Sequence, residues 1–310
     1  MLNLGFIGAG TVGSNLALLL TAKGYPVVAA SSRSRLPAEK LAKAILRLRS
    51  GQVPGCRAVS NQEVAEKSEL VFITTPDDII GRVAAEVKWH PGQSVVHCSG
   101  ADSTAILEPA RKSGARVGTF HPLQSFANPQ HAMENIPGAT FAIEAEEPLL
   151  SVLKDVATAL DGQWIELKAE DKVIYHAAAV MACNYMVTLV KMATDLWQTL
   201  GVPQEEATRA LLPLLRGTIH NIETIGIPQC LTGPIARGDA GTIKKHLDAL
   251  EKAAPELLST YRELGRQTIP LALDKGRINQ EQAEELQAIL DAPSPFDKLR
   301  AGLVGGKERR

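Results

Sequence analysis

An open, doubly wound α/β sheet followed by an all-helical region is the fold class that this 310-residue sequence predicts. Three observations lead there. The chain opens on an apolar strand that runs into a glycine-rich turn. Short apolar runs and amphipathic helical stretches then alternate as far as residue 168, and beyond it the strands stop.

Leu2 to Ile7 read as a short buried strand, Gly8-Ala9-Gly10-Thr11-Val12-Gly13 follow, and Ser14 to Ala22 make an apolar helix. In a βα turn that receives a dinucleotide, the first glycine permits the tight turn and the second lets the backbone approach a pyrophosphate. The third lets the helix pack close to the strand, with the helix N-terminus facing the anion. Gly8, Gly10 and Gly13 stand at those places, with Thr11 and Val12 in the first turn of the helix. The strand before and the helix after are both present, so the segment predicts a bound dinucleotide in a Rossmann-type domain. The second strand, Tyr25 to Ala30, ends in Ser31-Ser32-Arg33-Ser34-Arg35. An NAD site places Asp or Glu there, on the ribose 2′-hydroxyl. Here no carboxylate repels a 2′-phosphate, and Ser31, Ser32 and Arg33 can bind one, so the expected cofactor is NADP(H).

The remaining elements follow in order. Leu36 to Arg49 and Val64 to Ser68 have helical spacing, and Leu70 to Thr74 is an apolar parallel strand. Thr75-Pro76-Asp77-Asp78 stops it, and the acidic pair suits the start of the helix Ile79 to Val87. Strand Ser94 to His97, helix Ser103 to Ser113, strands Arg116 to Phe120 and Ala139 to Glu144, helix Pro148 to Leu160 and strand Trp164 to Leu167 complete a sheet covered on both faces. Lys172 to Leu200 then reads as one long helix, Pro203 opens another reaching Thr218 or beyond, and Thr242 to Leu264 and Gln280 to Leu290 are helical. The expected domains are 1–168 for the cofactor and 169–300 for substrate and dimerisation, with a fraying tail at 301–310. A helix apolar around most of its circumference is buried on several sides. Either it is an internal core helix, or two copies of the chain pack their helical domains as a homodimer.

Composition narrows the function. Lys plus Arg number 33 against 34 Asp plus Glu, which leaves no general basic field for nucleic acid. The N-terminus enters a strand directly, and no run of about eighteen uninterrupted apolar residues occurs, so a cytoplasmic protein without a membrane partner is expected. Cys56, Cys98, Cys183 and Cys230 are scattered, and no Cys/His spacing suggests a metal.

In such a sheet, ligands sit outside the carboxyl ends of the strands. Thr74-Thr75-Pro76, His97-Cys98-Ser99-Gly100 and the stretch Thr119 to Ser125 reach that edge with the glycine turn. His121, pinned by Pro122, is the candidate acid/base, or else a structural histidine bonded to a loop carbonyl. Ser99 is a candidate for orienting substrate and Gln124 for binding it, while Thr75, Pro76 and Gly100 are candidates for lining the cofactor. His176, Val180 and Asn184 share one helix face, with Lys172 a turn earlier. An imidazole and an amide on an apolar helix need partners; they either line a cleft or are satisfied core groups. Thr232-Gly233-Pro234-Ile235-Ala236-Arg237-Gly238-Asp239 is a polar, glycine-marked loop. Thr232 and Arg237 can hold a carboxylate, or Arg237 can pair with Asp239 at a helix N-terminus. No GxSxG elbow supports hydrolase chemistry.

The glycine turn, Ser31 to Arg33, Val71 to Asp77, His97 to Gly100, Gly118 to Phe126, His176 to Asn184 and Thr232 to Asp239 together resemble the Rossmann-like and DUF2520 domain proteins. The likeness spans nearly the whole chain and is shared more widely with pyrroline-5-carboxylate reductases, ketopantoate reductases, prephenate dehydrogenases and the 6-phosphogluconate dehydrogenase-like enzymes. It implies hydride transfer between NADP(H) and a small carboxylated alcohol, ketone, amine or imine between the domains. Gly118 to Leu123 is similar to the prephenate dehydrogenase stretch whose histidine meets the reacting hydroxyl, which gives that role to His121. His176 and Asn184 are similar to polar residues of the first helix of the second domain, with catalytic roles implied for both. Hydroxyacid dehydrogenases and ketopantoate reductases carry a lysine four residues before that asparagine, and here Val180 stands there. That departure keeps open a non-catalytic NADP(H) sensor or scaffold, and the F420-dependent NADP reductases, whose partner is a deazaflavin, share this type of first domain.

Overall fold

The computed structural model describes residues 2–48, 55–127 and 133–293. The expected tail at 301–310 and Arg49 at the end of the expected second helix lie outside them. Strands β1 (Leu4–Ile7), β2 (Val27–Ser31), β3 (Arg57–Ala58), β4 (Leu70–Ile73), β5 (Ser94–His97), β6 (Arg116–Leu123), β7 (Thr140–Ala145) and β8 (Gln163–Glu166) form one sheet in the order β3-β2-β1-β4-β5-β6-β7-β8. Among the described residues only β6 and β7 pair antiparallel. The chain therefore has the mostly parallel, Rossmann-type sheet that its alternating pattern predicts. The two-residue β3 escapes the sequence pattern because it is too short to show a period.

Register positions the functional edge. Ile7 pairs with Ile73, Ile73 with His97, and His97 with Thr119, so β1, β4 and β5 end in line and β6 continues past them through His121. On one face Phe6, Phe72, Phe120 and Phe141, all fully buried, make a ring ladder with centroids 5.0, 5.9 and 4.5 Å apart. Each contributes roughly 1.5–3 kcal/mol by burial, with roughly 0.5–1.5 kcal/mol per ring pair besides. Helices α1 (Thr11–Ala22) and α2 (Arg35–Leu48) cover that face. Ile7, Val71, Ile73, Val95 and Val117 point to the opposite face, packed with α3 (Asn61–Lys67), α4 (Asp77–Glu86) and α5 (Glu108–Lys112). Helix α6 (Leu149–Ala159) joins the Phe-rich cluster through Leu149, Leu153 and Val156.

The chain divides into compact units after Asn184 rather than after residue 168. Loss of strands does not mark loss of contact: α7 (Lys172–Ala182) stays with the sheet, its Lys172 ammonium donating to Ser99 O and Thr119 Oγ1 at 3.2 Å each. The expected helix Lys172 to Leu200 is interrupted at Cys183, where ψ falls to −66, and α8 (Asn184–Thr199) follows. Nor is that stretch buried within the chain. Ile174 is 70% and Val187 67% exposed. Ala169–Thr199, within which an 18-residue window has a mean hydropathy of 1.6, meets the length and composition of a membrane span, which a count of uninterrupted apolar residues misses.

The second unit is helical: α9 (Gln204–Ile225), α10 (Ala240–Ala253), α11 (Leu258–Asp274) and α12 (Gln280–Asp291). The expected single helix Thr242 to Leu264 is two. Pro255 disfavours the helical conformation at Ala254, which sits at φ −156, ψ 63. Ile235, Ile243, Leu250, Ile269, Leu286 and Leu290 form this unit's core.

Candidate active site

The glycine turn is built as its sequence requires. Gly8 has φ +113, and a Cβ there would meet the Thr74 carbonyl carbon at 2.7 Å. A Cβ on Gly13 would come within 2.2 Å of Gly8 O, so α1 abuts the turn, and Thr74 Oγ1 donates to the same carbonyl at 2.6 Å. At Gly10 a Cβ would meet nothing within 4 Å, and this residue caps α1 without a side chain, which leaves the first-turn amides of Thr11, Val12 and Gly13 for an anion. Gly8, Gly10, Ser32, Arg33, Thr75 and Pro76 line one cleft of about 570 Å³. Arg82 of α4 joins them, a cation with no sequence signal. The Thr75 hydroxyl is buried there without a partner among the described residues. Ser31 is turned away: its buried hydroxyl donates to Asn61 Oδ1 at 2.6 Å, so it supports the loop rather than lining the cleft.

A second pocket of about 540 Å³ gathers His121, Gln124, His176 and Asn184, four of the sequence candidates. Leu123, Phe126 and Val180 supply apolar wall. His121 Nδ1 lies 2.8 Å from the Tyr175 hydroxyl, and the His121 and His176 rings stand edge to face at 6.2 Å. Burial, with the Lys172 ammonium and the neighbouring His176 and His97, pushes His121 down to about 4, so the ring is neutral at pH 7. Burial pushes Tyr175 up to about 12. A phenol that stays protonated can donate to Nδ1, which leaves the ring proton on Nε2. Gly100 is the spacer: a Cβ there would lie 2.6 Å from His176 Cδ2 and 2.9 Å from His121 Nε2. Its place is between the imidazoles, and it does not line the cofactor cleft.

Ser99 is not brought into that pocket. Its buried hydroxyl lies 2.9 Å from Asp77 Oδ2 and 3.0 Å from Asp102 Oδ2, and it accepts the Asp102 amide at 3.1 Å. It thus binds the loops after β4 and β5 to each other. His97 beneath it has a fixed tautomer, since Nδ1 accepts the Ser99 amide and Nε2 donates to Ser103 O. Burial pushes it down to about 4. Lys172 is fully buried beside them. Burial lowers its pKa, and the Glu144, Asp102 and Asp77 carboxylates oppose that shift. The signal for Lys172 was visible as a lone charge opening an apolar run; Asp77 reads only as part of an acidic pair at a helix start, and Tyr175 and Asp102 gave none. Thr232 and Arg237 lie together in the second unit, in a cavity of about 450 Å³.

Residues 1–122 match the Rossmann-like domain, and 139–268 match DUF2520, a domain of unknown function. No curated protein matches the chain. Among solved structures, BF3122 of Bacteroides fragilis, provisionally assigned as an NADP oxidoreductase, is 23% identical with a TM-score of 0.67 over 87% of this chain and 98% of its own. Protein TM1727 of Thermotoga maritima is 26% identical, with a TM-score of 0.65 over 91% and 98%. The reductive aminase of Aspergillus terreus, solved with NADPH and ethyl levulinate, is 18% identical, with a TM-score of 0.60 over 94% and 99%. Each shares the fold.

Proposed function

We propose, from the match of residues 1–122 to the Rossmann-like domain and of 139–268 to DUF2520, that this chain is an NADP(H)-dependent reductase of a small carboxylated imine or ketone. One observation carries the reading: the glycine-turn cleft and the imidazole pocket are both built at the carboxyl edge of the same sheet, from the ends of β1, β2 and β4 and from β6. The open backbone at Gly10 and the buried, partnerless Thr75 hydroxyl fit a dinucleotide, and Arg33 and Arg82 fit its 2′-phosphate. The NADPH held by the reductive aminase supports the same cofactor. When bound, NADPH supplies a hydride from its nicotinamide.

The chain's own residues narrow the substrate. Reduction of a ketone needs a proton at oxygen, and an imidazole that titrates near pH 4 is not protonated at pH 7. A protonated imine becomes an amine by hydride addition alone. His121 then serves as a neutral hydrogen-bond donor through Nε2, its Nδ1 being occupied by the Tyr175 hydroxyl. His176, Asn184 and Gln124 orient the substrate, and the apolar wall at Leu123, Phe126 and Val180 excludes water. Exposed apolar residues on α8 and α9, among them Val187 and Leu214, support a homodimer through the helical unit. Lys191 and Asp195 on α8 favour a protein partner over lipid and a cytoplasmic setting.

The test follows NADPH consumption with pools of cyclic imines, and of 2-keto acids, with NADH as the comparison. Turnover with imines and at least about tenfold preference for NADPH are expected. Turnover confined to keto acids would move the proton donor away from His121. Tight NADPH binding without any turnover would favour a sensor, the reading that an uncharged Val180 in the pocket permits.

A further inference from the structure

The helical unit holds a second concentration of charge. Arg237, Lys275 and Arg277 line one cavity of about 450 Å³ together with Thr232 and Gly233. Two glycine-enforced turns deliver the arginines. Arg237 closes the 3-10 turn Ile235–Arg237, and Gly238 follows at φ +68. Arg277 follows Gly276, at φ +70, just past the end of α11. Both glycines occupy the left-handed region that other residues enter at a cost, so both turns are fixed in the fold.

Among the described residues no carboxylate forms an ion pair with Arg237, Lys275 or Arg277. Lys275 Nζ donates to Gln229 O at 2.8 Å and Leu231 O at 2.6 Å, which anchors the ammonium without cancelling it. Asp239 accepts from the Thr242 amide at 2.9 Å and the Thr242 hydroxyl at 2.7 Å, and so caps α10. It acts on Arg237 only at longer range. The expected alternative of an Arg237–Asp239 ion pair is therefore not what the loop forms. Among the described residues neither the Arg237 nor the Arg277 guanidinium has a hydrogen-bond or ion-pair partner.

Three like charges around one concavity repel each other, and an anion between them relieves that repulsion. Guanidinium groups grip planar or tetrahedral oxyanions through paired hydrogen bonds, and the Thr232 hydroxyl adds a further donor. We propose that this cavity is a binding site for a dianionic group, a phosphate monoester or a dicarboxylate, recognised by Arg237, Arg277 and Lys275. The site shares no lining residue with the imidazole pocket or the glycine-turn cleft, so it goes beyond the reductase reading and does not depend on it.

Titration calorimetry on the full chain tests it, with inorganic phosphate, malonate and acetate as probes. Phosphate or malonate should bind, with acetate at least about tenfold weaker, and the stronger of the two dianions identifies the source of the ligand. Arg237→Gln and Arg277→Gln should each weaken binding by about tenfold at unchanged melting temperature, whereas Arg33→Gln should leave it unchanged. The proposal is overturned by absence of heat with both dianions or by equal binding in the parent and both variants. Loss in Arg33→Gln alone also overturns it, because the anion then sits in the cofactor cleft. An NADPH titration alongside separates the two readings: failure to bind NADPH with dianion binding intact sinks the reductase and leaves this site standing.

Discussion

His121 Nδ1 and the Tyr175 hydroxyl lie 2.8 Å apart, joining a residue inside β6 to one on α7. The contact fixes which nitrogen of His121 faces the pocket. It also couples the imidazole to a helix that begins with the buried Lys172. His121→Asn removes the imidazole and should lower turnover by roughly a hundredfold or more, with NADPH affinity nearly intact. Tyr175→Phe keeps the imidazole and frees Nδ1, so the ring can take either tautomer, and a loss of roughly tenfold in kcat with little change in KM is expected. Equal loss of NADPH binding and turnover in His121→Asn would assign that residue to the cofactor instead.

Stability should fall as the pH drops through mildly acidic values. His97 is fully buried, and burial pushes it down to about 4 in the fold from an ordinary value of 6.5; His121 is depressed to about 4 as well. The unfolded chain therefore binds more protons between those two values. Stability is complete above pH 6.5 and declines as pH falls towards 4, by on the order of 3 kcal/mol from His97 alone. Urea denaturation at several pH values measures the slope. His97→Gln should flatten it, and a slope unchanged in that variant would place the sensitivity elsewhere.

Much of the fold was legible because its signals are local. Gly8 and Gly13 obey constraints of φ and of Cβ space that six neighbouring residues already express, and His121 is visible as a residue leaving an apolar run at a strand end. The Ser99, Asp77 and Asp102 cluster was not legible, since it exists only because β4 and β5 end in register. Ser99 consequently reads in sequence as a free hydroxyl, although the fold occupies it. Pro255 was a readable break inside an expected helix. The break at Cys183 has no such residue, and the exposure of Val187 shows that apolar periodicity reports a need for burial without naming what supplies it.

Gly100→Ala tests whether the two imidazoles need their spacing. The added methyl meets His176 Cδ2 at 2.6 Å and His121 Nε2 at 2.9 Å, so at least one ring must move. A loss of about 1–3 kcal/mol in stability is expected from the overpacking. Turnover should fall by roughly tenfold or more, since a displacement of about 1 Å at a reacting centre is costly. Native turnover in Gly100→Ala would show that the ring arrangement does not set the rate.

The uncovered helical surface gives the last expectation. Val187 and Leu214 are 67% and 66% exposed, and each sits on a helix of the second unit among other exposed apolar residues such as Ile219 and Ile225. Exposed apolar residues of this kind mark interaction surfaces, and a second copy of the chain is the cover expected for them. Sedimentation velocity should show a dimer for the parent. The double variant Val187→Glu, Leu214→Glu should sediment as a monomer with an unchanged far-UV spectrum, because neither side chain belongs to the unit's core. A parent that sediments as a monomer removes the dimer, and one that partitions onto lipid vesicles instead would mean that Ala169–Thr199 seeks a bilayer rather than a second copy.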